Sequence, residues 1–574
     1  MRAKFPSDQA IRSIHSLRTR APCVLSFPAR PRLWAFLSLG CAGLGLASLT
    51  VFTPRIALEQ HQQTDDALDA LQPKVLGART SHLAHRPTGE LIRSYLTLFL
   101  SDIPAVVSYG PVLLDHYKAI CEAVPVLGPV GWALAETMMR YSFFAHYTGG
   151  ETPEGCLPVL RALYEQGIGT VLNYSVEAPK KTTGESVGPA AVSRQHIEAT
   201  QAAVATAAHF GSPPSDQVGS ALVRPTTLAI KISGLVTDPY IFERASTALT
   251  LAGRSPFATE PELFPTGPGS TFTPEDQRTM ENLMGELRGI CSAAKQAKVI
   301  VMIDAEYSWF QPALDRLATL LAAEFNKPDP EDLKNRNSFP TVYNTFQTLL
   351  RSTPERVVEA LEAADRAGYS TGIKLVRGAY LEAERKHWGE GEHRLWDSKA
   401  GTDACFDSVA ALLTSRLAAE AQKPEQTRLG LVVAGHNVDS ARKVLKRLRD
   451  VHKVAADVLG ADGQRKLALD EALRGRLMFA QLYGMADQLT STLSELLTSP
   501  IATGSGGRYP GLQPFVHKYL PFGSVSEVMP YLARRAEENQ SILRDSEGRT
   551  GGAGMERRLV GAELRRRMRA GLVG

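Results

Sequence analysis

The stretch that decides the fold is Phe515-Val-His-Lys-Tyr-Leu-Pro-Phe-Gly523, followed closely by Tyr531-Leu-Ala-Arg-Arg-Ala-Glu-Glu-Asn539. The first stretch is rich in β-forming residues and predicts a strand, whereas the second has the composition of a helix. Ser524 and Glu527, between them, have the spacing of a helix-capping box. A strand that leads into a helix is the repeating unit of parallel α/β sheets.

Seven similar β-rich runs precede Phe515–Leu520, separated by helical patterns and loops: Ile168–Val176, Thr226–Ile232, Val299–Ile303, Thr341–Phe346, Gly372–Val376, Leu429–Ala434 and Leu477–Leu482. Eight strand–helix repeats predict an α/β fold, a closed (β/α)8 barrel of the TIM type, for which ~250 residues is typical before insertions. Three segments rich in Pro, Gly, Ser and Thr are predicted loop insertions: Ala178–Arg224, Ala252–Thr273 and Ser499–Gly511.

The barrel is predicted over residues 151–548, after a linker and an N-terminal helical arm over residues 54–150. The arm is expected from Gly89 to about Arg140, where the pattern is helical and apolar. Residues 549–574 are predicted to form a basic C-terminal helix. We expect this helix to pack beside the barrel, with contact to anionic membrane lipid as the alternative.

Charge is concentrated at the N-terminus. Seven Arg and Lys and one Asp precede Pro54, a charge of +6, so the rest of the chain carries −2 of the total +4. Because a near-neutral body lacks a basic face, a nucleic-acid partner is not expected. The six cysteines are scattered, which fits a reducing compartment and favours neither zinc nor a disulfide scaffold. His82 and His85 are spaced H-x-x-H without carboxylate support, so no metal site is predicted.

Residues 1–53 have the features of a targeting segment. They are rich in Arg and Ser and poor in acid, as mitochondrial presequences are. Leu33–Thr53 runs 21 residues without a charge, which is long enough to span a bilayer. It is a membrane anchor after a presequence, part of the cleaved region, or a secretory signal-anchor. We favour the mitochondrial alternatives because the basic region is long and the cysteines show no secreted pattern.

Polar side chains lie at or just after the end of nearly every predicted strand. In a (β/α)8 barrel the carboxyl ends of the strands meet at one face, which holds the active site. These strand-end residues are Lys231, Asp304, Glu306, Gln347, Lys374, Arg377, Tyr380, His436, Asn437, Gln481, Lys518 and Tyr519. On the last helix, the positions i, i+3, i+4 and i+7 place Tyr531, Arg534, Arg535 and Glu538 on one face. Two neighbouring guanidinium groups can hold a small carboxylate, and Glu538 is placed to orient them.

Several kinds of enzyme are not supported. No G-x-G-x-x-G lies between a strand and a helix, since Gly504–Gly507 is flanked by loop and Gly40–Gly45 lies in the apolar segment. No G-x-S-x-G elbow or Cys/His nucleophile pattern stands out. The remaining feature is a cationic barrel mouth, which suits an anionic cofactor together with an anionic substrate.

From about residue 89 to 545 the chain resembles the proline dehydrogenase family, FAD-dependent (β/α)8 flavoenzymes of proline catabolism, in its eukaryotic mitochondrial form. The matching stretches occur in the family's order: Gly167–Glu177, Ile230–Leu235, Ile303–Glu306, Val342–Gln347, Lys374–Tyr380, Gly435–Asn437, Gln481–Gly484 and Lys518 to Asn539. Two positions depart from the family pattern, Gly435 in place of Thr and Asn173 in place of an acid. Pro530 lies inside the predicted helix and either kinks it or marks its start.

The resemblance implies roles for these residues. Arg534 and Arg535 would hold the proline carboxylate, with Glu538 orienting one of them. The pyrrolidine ring would be enclosed by Lys231, Tyr380, Tyr519 and Tyr531, and Asp304 would support the arginines or Tyr519. Lys374 would stand near the reactive edge of FAD. The predicted catalytic set is therefore Lys231, Asp304, Tyr519, Arg534, Arg535 and Glu538. The predicted cofactor contacts are Gln347, Lys374, Arg377, Gly378, His436, Asn437, Gln481 and Glu538.

The resemblance also implies a reaction. L-proline would be oxidised to Δ1-pyrroline-5-carboxylate by hydride transfer to FAD, and the electrons would pass to ubiquinone. Its expected location is the matrix side of the inner mitochondrial membrane, and the oligomeric state is not predicted. The alternatives are a hydroxyproline dehydrogenase on the same fold and an inactive barrel that serves as a binding module.

Overall fold

A computed structural model describes residues 66–72, 81–84, 86–124, 128–175, 189–210, 226–266, 270–328, 339–389, 393–423, 428–460, 462–498, 514–543 and 553–573. The predicted targeting segment, residues 1–53, lies outside the described residues, as do His85, the side chain of His82 and the insertion Ser499–Gly511. Among the described residues, none of the helices combines the length and the apolar composition that crossing a bilayer requires.

The strands in chain order are β1 Gly169–Tyr174, β2 Thr226–Ile230, β3 Val301–Ile303, β4 Val342–Gln347, β5 Thr371–Val376, β6 Leu429–Ala434, β7 Ala455–Leu459, β8 Arg465–Leu469, β9 Leu477–Leu482, β10 Leu497–Thr498 and β11 Val516–Phe522. Eight of them close a barrel in the order β1-β11-β9-β6-β5-β4-β3-β2. Every pairing in it is parallel. The predicted (β/α)8 barrel is confirmed, and each of the eight predicted runs overlaps one of its strands, with ends that differ by at most two residues.

The helices of eight residues or more are α1 Thr88–Ser101, α2 Pro104–Ala123, α3 Gly128–Met139, α4 Leu157–Tyr164, α5 Pro189–His209, α6 Ile241–Leu251, α7 Pro274–Ala297, α8 Gln311–Phe325, α9 Thr353–Ala367, α10 Leu381–Trp388, α11 Lys399–Ala421, α12 Val438–Lys446, α13 Asp487–Leu496, α14 Met529–Leu543 and α15 Ala553–Val573. Short helical turns at Ala67–Leu71 and Ser81–Ala84 precede α1.

The predicted loop insertion Ala178–Arg224 is wrong in part, because its centre forms the 21-residue helix α5. The Pro, Gly and Ser of its flanks masked the Ala-rich helical pattern between them. A second sheet was not predicted from the sequence. In it, β7 and β8 form an antiparallel hairpin and β10 pairs with β8.

Apolar side chains of different sizes fill the barrel interior. The buried cluster inside the strands is made of Val171, Ala229, Ile300, Met302, Tyr343, Val432, Met478 and Ala480. Tyr343 fills the centre, and a Cβ on Gly430 would lie 2.0 Å from its hydroxyl oxygen. Glycine is therefore required at 430 to make room for the tyrosine ring. The interior is a packed core, which leaves the strand ends as the place for a site.

The arm and the C-terminal helix pack near the barrel mouth. Phe144 and Tyr147, just after α3, form an apolar cluster with Val525, Val528 and Leu532. These last three residues belong to the loop after β11 and to α14, so the base of the arm covers α14. The basic helix α15 packs against α1, where Leu559 and Val560 contact Leu91.

Candidate active site

Three side chains from separate strands meet at the mouth of the barrel. Lys374 Nζ, from β5, lies 2.6 Å from Asp304 Oδ1, directly after β3. The Tyr519 hydroxyl, from β11, donates to Asp304 Oδ2 at 2.5 Å, and Lys374 Nζ lies 4.7 Å from the centre of the Tyr519 ring. Of the two partners expected for Asp304, the structure places Tyr519 against it.

Helix α14 carries Arg534 and Arg535, the two arginines that are predicted to hold a carboxylate and are called the clamp below. Arg535 is buried and donates to Glu538 at 2.5 Å, with its guanidinium carbon 4.9 Å from the Tyr531 ring centre. The Arg534 guanidinium carbon lies 5.3 Å from the ring centre of Tyr380. The face predicted from helical spacing is therefore turned towards residues that follow other strands, and not only towards its own helix.

The start of α14 differs from the capping-box prediction. The Ser524 amide donates to Glu527 at 3.0 Å, but the helix begins at Met529. Glu527 also accepts from Gln195 at 2.9 Å, which fixes residues 524–528 as a turn against α5. Pro530 lies in the first turn of the helix, where a missing amide proton leaves no bond unmade. It marks the start of α14 and does not kink it.

Lys231, just after β2, completes the same group of side chains. Its charge lowers the pKa of Tyr380 and Tyr531, although burial raises the pKa of each tyrosine more, to about 12. Burial likewise raises the pKa of Glu306, which the Ser233 amide approaches at 3.0 Å. The charge of Lys231 therefore acts on side chains that follow β3, β5 and β11.

Burial dominates the protonation of the group. Burial and the neighbouring Asp304 carboxylate hold the pKa of Tyr519 well above its usual range. Burial, followed by the adjacent Arg535 charge, lowers the pKa of Arg534 to about 10. At neutral pH the tyrosines keep their protons and both guanidinium groups keep their charge, so the pocket is cationic and rich in hydroxyl groups.

A buried carboxylate that the sequence did not single out positions Tyr380. Glu384 is 1% exposed and accepts from the Ser308 amide at 2.6 Å and from the Ser308 hydroxyl at 2.5 Å. Trp388 Nε1 donates to Ser308 Oγ at 2.8 Å. These bonds fasten the loop after β3 to α10, and Tyr380 immediately precedes α10. Tyr307, on that loop, contacts Tyr380 with ring centres 4.8 Å apart.

The ends of β4, β5 and β6 form the opposite side of the mouth. Gln347 Nε2 donates to the Glu306 carbonyl at 2.7 Å. Gly378 has φ of +129°, and a Cβ there would lie 1.7 Å from Leu349 Cδ2, so this exposed loop position requires glycine. His436 Nε2 accepts from the Leu482 amide at 3.1 Å. Burial, followed by the Lys518 and Arg535 charges, lowers the pKa of His436 to about 3, which keeps the ring neutral.

Three further predicted cofactor residues also have protein partners. Arg377 donates to Asp403 at 2.5 Å and to Ser440 at 2.9 Å. Asn437 caps α12 by accepting from the Ser440 amide at 3.1 Å. Gln481 is buried beneath α13, where its carbonyl accepts from Thr490 at 3.1 Å. Their contact with a cofactor stays a prediction.

Lys518 and Asn173 act within the protein framework. Lys518 is buried, with Nζ 2.7 Å from Asp487 Oδ1 and 2.7 Å from the Met485 carbonyl, so it holds the loop after β9. Asn173 donates to the Ala229 carbonyl at 3.0 Å and ties β1 to β2. At Gly435, a Cβ would lie 3.4 Å from Arg377 Nη1, so this position borders the Arg377 side chain.

One family model matches more than half of the chain. The model of the proline dehydrogenase family matches residues 156–547. Mitochondrial proline dehydrogenase 1 of Arabidopsis thaliana is 28% identical over 90% of this chain and 91% of its own length. Human hydroxyproline dehydrogenase is 28% identical over 84% of this chain and 92% of its own length. A solved structure of proline utilization A from Bdellovibrio bacteriovorus, inactivated by N-propargylglycine, is 18% identical with a TM-score of 0.48. It matches 80% of this chain, which spans 37% of that protein's length.

Proposed function

The chain belongs to the proline dehydrogenase family, and on this basis we propose that it oxidises L-proline to Δ1-pyrroline-5-carboxylate with FAD as the electron acceptor. The observation that carries the proposal is the placement of Arg534 and Arg535. Arg534 lies beside Tyr380, which follows β5, and Arg535 lies beside Tyr531 of its own helix. Lys374, Asp304 and Tyr519 form a bonded group at the same mouth.

The pocket fits a small amino acid with a carboxylate. The Nε of Arg535 and the hydroxyl of Tyr531 are buried and have no hydrogen-bond partner among the described residues. Buried donors without partners cost free energy, which a bound carboxylate would recover. Tyr380, Tyr519 and Tyr531 offer ring faces to the apolar carbons of a pyrrolidine. We assign Lys231 and Glu538 to the same pocket, where Glu538 orients Arg535.

The donor set on the opposite side fits a flavin. Lys374 supplies a buried cation, Gln347 an amide, His436 a neutral imidazole and Gly378 an exposed backbone at a position without a side chain. Gln347 and Lys374 lie near the carboxyl ends of β4 and β5, and Gly378 and His436 follow β5 and β6, which are adjacent strands. We propose that they hold FAD, with Arg377, Asn437 and Gln481 at the margin of that site. Glu538, which borders Arg535, is proposed to approach it from α14.

Each side chain then has a defined task. A bound flavin would supply a two-electron acceptor for the hydride that leaves C5 of proline. Arg534 and Arg535 hold the carboxylate and so fix the orientation of the ring. The tyrosines exclude water from its carbons. Asp304 holds Lys374 and the Tyr519 hydroxyl in place, and the Lys374 charge favours a reduced, anionic ring system at its side of the mouth.

We further propose a mitochondrial location and ubiquinone as the final electron acceptor. Relatives from plant, fly and human are named mitochondrial proline dehydrogenases. Residues 1–53 carry the Arg- and Ser-rich composition of a presequence. These features support delivery to the inner membrane on the matrix side, where a lipid-dissolved quinone would be reached.

The test is a comparison of two substrates on purified protein. We expect a flavin absorbance spectrum and a higher kcat/KM with L-proline than with trans-4-hydroxy-L-proline. Hydroxyproline is the second candidate because hydroxyproline dehydrogenases match this chain as well as the proline enzymes do. A preference for hydroxyproline would overturn the substrate assignment, and a protein that bound no flavin would favour an inactive barrel.

A further inference from the structure

The helical arm exposes two apolar stripes. On each helix the stripe residues are three or four positions apart or a multiple of that spacing, so they lie on one face. Their exposed fractions lie between 61 and 68%, and they are Tyr109, Leu113 and Ile120 on α2 and Val130, Leu134, Met138 and Tyr141 on α3 and just after it. None of these seven positions carries a charge.

The concentration of these residues sets the arm apart from the rest of the surface. Within the described ranges, twelve of the twenty large apolar side chains that are exposed lie between Ile92 and Tyr141. Single exposed apolar residues are normal on soluble proteins, whereas a contiguous group marks a surface that another body covers. The other eight are spread from Tyr240 to Met568.

The arm lies beside the element that carries the proposed substrate clamp. Met139 and Phe143, at its base, pack on the apolar cluster that includes Val528 and Leu532. Leu532 lies on α14, two residues before Arg534. Whatever covers the stripes is therefore held near the barrel mouth.

The charge on the neighbouring helix α15 indicates which kind of partner covers the two apolar stripes. Arg557 of α15 lies 2.8 Å from Asp102 and 5.6 Å from the Phe99 ring centre, which places α15 beside the start of the arm. The outward face of α15 exposes Arg558, Arg565, Arg566 and Arg569. An apolar face with tyrosines beside a row of arginines is the pattern of helices that lie on anionic lipid. A symmetric contact between two copies would instead bring two such basic faces near each other, which is unfavourable.

We propose that the α2–α3 hairpin, flanked by α15, lies in the interface of an anionic bilayer and sets the barrel mouth beside it. The inference rests on the proposed function in one respect, since a membrane surface at the mouth matters to an enzyme whose acceptor dissolves in lipid. Lipid contact itself requires neither proline nor flavin.

The experiment measures binding of the full-length protein to vesicles of phosphatidylcholine with and without cardiolipin. Leu113→Glu and Leu134→Glu place charge on the stripes, and each should weaken binding about tenfold or more because a Leu side chain is lost from the apolar phase. Leu251→Glu and Leu459→Glu are matched controls, since these leucines are 67 and 65% exposed elsewhere. We expect both controls to bind as the unsubstituted protein does, and binding should be weaker without cardiolipin.

A local readout separates the arm from any other membrane contact. A benzophenone amino acid placed at Leu134 should cross-link to lipid, and one placed at Leu459 should not. Unchanged binding of the stripe variants together with no lipid cross-link at Leu134 would overturn the proposal, and a cross-link to a second copy of the chain would do so in favour of a dimer. Bleaching of flavin by L-proline, measured on the same variants without vesicles, reports the proposed function separately.

Discussion

Lys374 Nζ lies 2.6 Å from Asp304 Oδ1, although β4 separates the strands that carry them. The pair therefore spans the mouth from β5 to the end of β3, and the Tyr519 hydroxyl extends it to β11. Both charged side chains are at most 11% exposed. A buried pair of this kind fixes geometry across the barrel, and removal of one partner leaves the other charge uncompensated.

The first prediction concerns this pair. In Lys374→Met the Asp304 carboxylate stays buried without its cation, so the free energy of unfolding should fall by about 3 kcal/mol. The midpoint potential of the flavin should become more negative, because a positive charge that favours the reduced form is lost. Denaturant unfolding and a spectroscopic redox titration measure the two effects. The double variant Lys374→Met/Asp304→Asn should regain part of the stability but not the potential. An unchanged potential in both variants would place Lys374 away from the flavin.

The second prediction concerns the arginines. Arg534→Met and Arg535→Met should each raise KM for L-proline about a hundredfold or more, because each removes a charged bond to a desolvated carboxylate. The flavin spectrum should not change. Glu538→Gln should have a smaller effect, since it releases Arg535 but leaves its charge. Arg366→Met, at an exposed site on α9, is the control and should show an unchanged KM for L-proline. Normal proline saturation in the Arg534 and Arg535 variants would refute the clamp.

The third prediction concerns Glu384. Glu384→Ala leaves the partly buried Ser308 amide and the Trp388 indole donor with fewer acceptors, which should lower the free energy of unfolding by about 2 kcal/mol. KM for proline should rise because Tyr380 loses its support. In Glu384→Gln the rise in KM should be smaller, because one acceptor oxygen is kept. Glu382→Ala, exposed on the same helix, is the matched control. Thermal unfolding and steady-state kinetics check both effects. Equal KM values and equal stabilities of the two alanine variants would show that Glu384 does not position Tyr380.

The fourth prediction concerns acid stability. His517 is fully buried, and burial lowers its pKa from 6.5 to about 3. Its pKa is lower in the folded than in the unfolded state, so the unfolded chain takes up the proton first and stability is lost as pH falls below 6.5. Between pH 7 and pH 5, the free energy of unfolding of His517→Leu should fall by about 2 kcal/mol less than that of the unsubstituted protein. Denaturant unfolding at the two pH values tests this, with His209→Leu as the exposed control. The same pH dependence in both variants would contradict it.

Much of the barrel was predictable because its signals are local. Each strand is a short β-rich run followed by polar residues, and strand ends must share one face of a closed barrel. Lys374, Asp304 and Tyr519 could therefore be placed at one site from their positions alone. The partner of each could not, since side chains far apart in sequence meet only once the strand order and register are fixed.

Other features required the fold itself. Glu384 and Glu382 look equivalent on a short polar helix, yet one is buried and the other exposed. The orientation of Gln481 could have been predicted from strand alternation. Ala480 faces the barrel interior, and the next residue of a strand faces the opposite side, so Gln481 faces away from the interior. The β7–β8 hairpin consists of short, half-exposed runs whose alternation is weak. Its place between β6 and β9 could not be inferred from patterning.

The central claim is that two guanidinium groups hold proline against a flavin in this barrel mouth. The most direct measurement is an anaerobic titration of the purified protein with L-proline, followed by flavin absorbance. We predict that the flavin bleaches with a saturable dependence on L-proline and that Arg534→Met requires far more proline for the same bleaching. A flavin that stays oxidised at every proline concentration, or an Arg534→Met variant with an unshifted titration curve, would contradict the account.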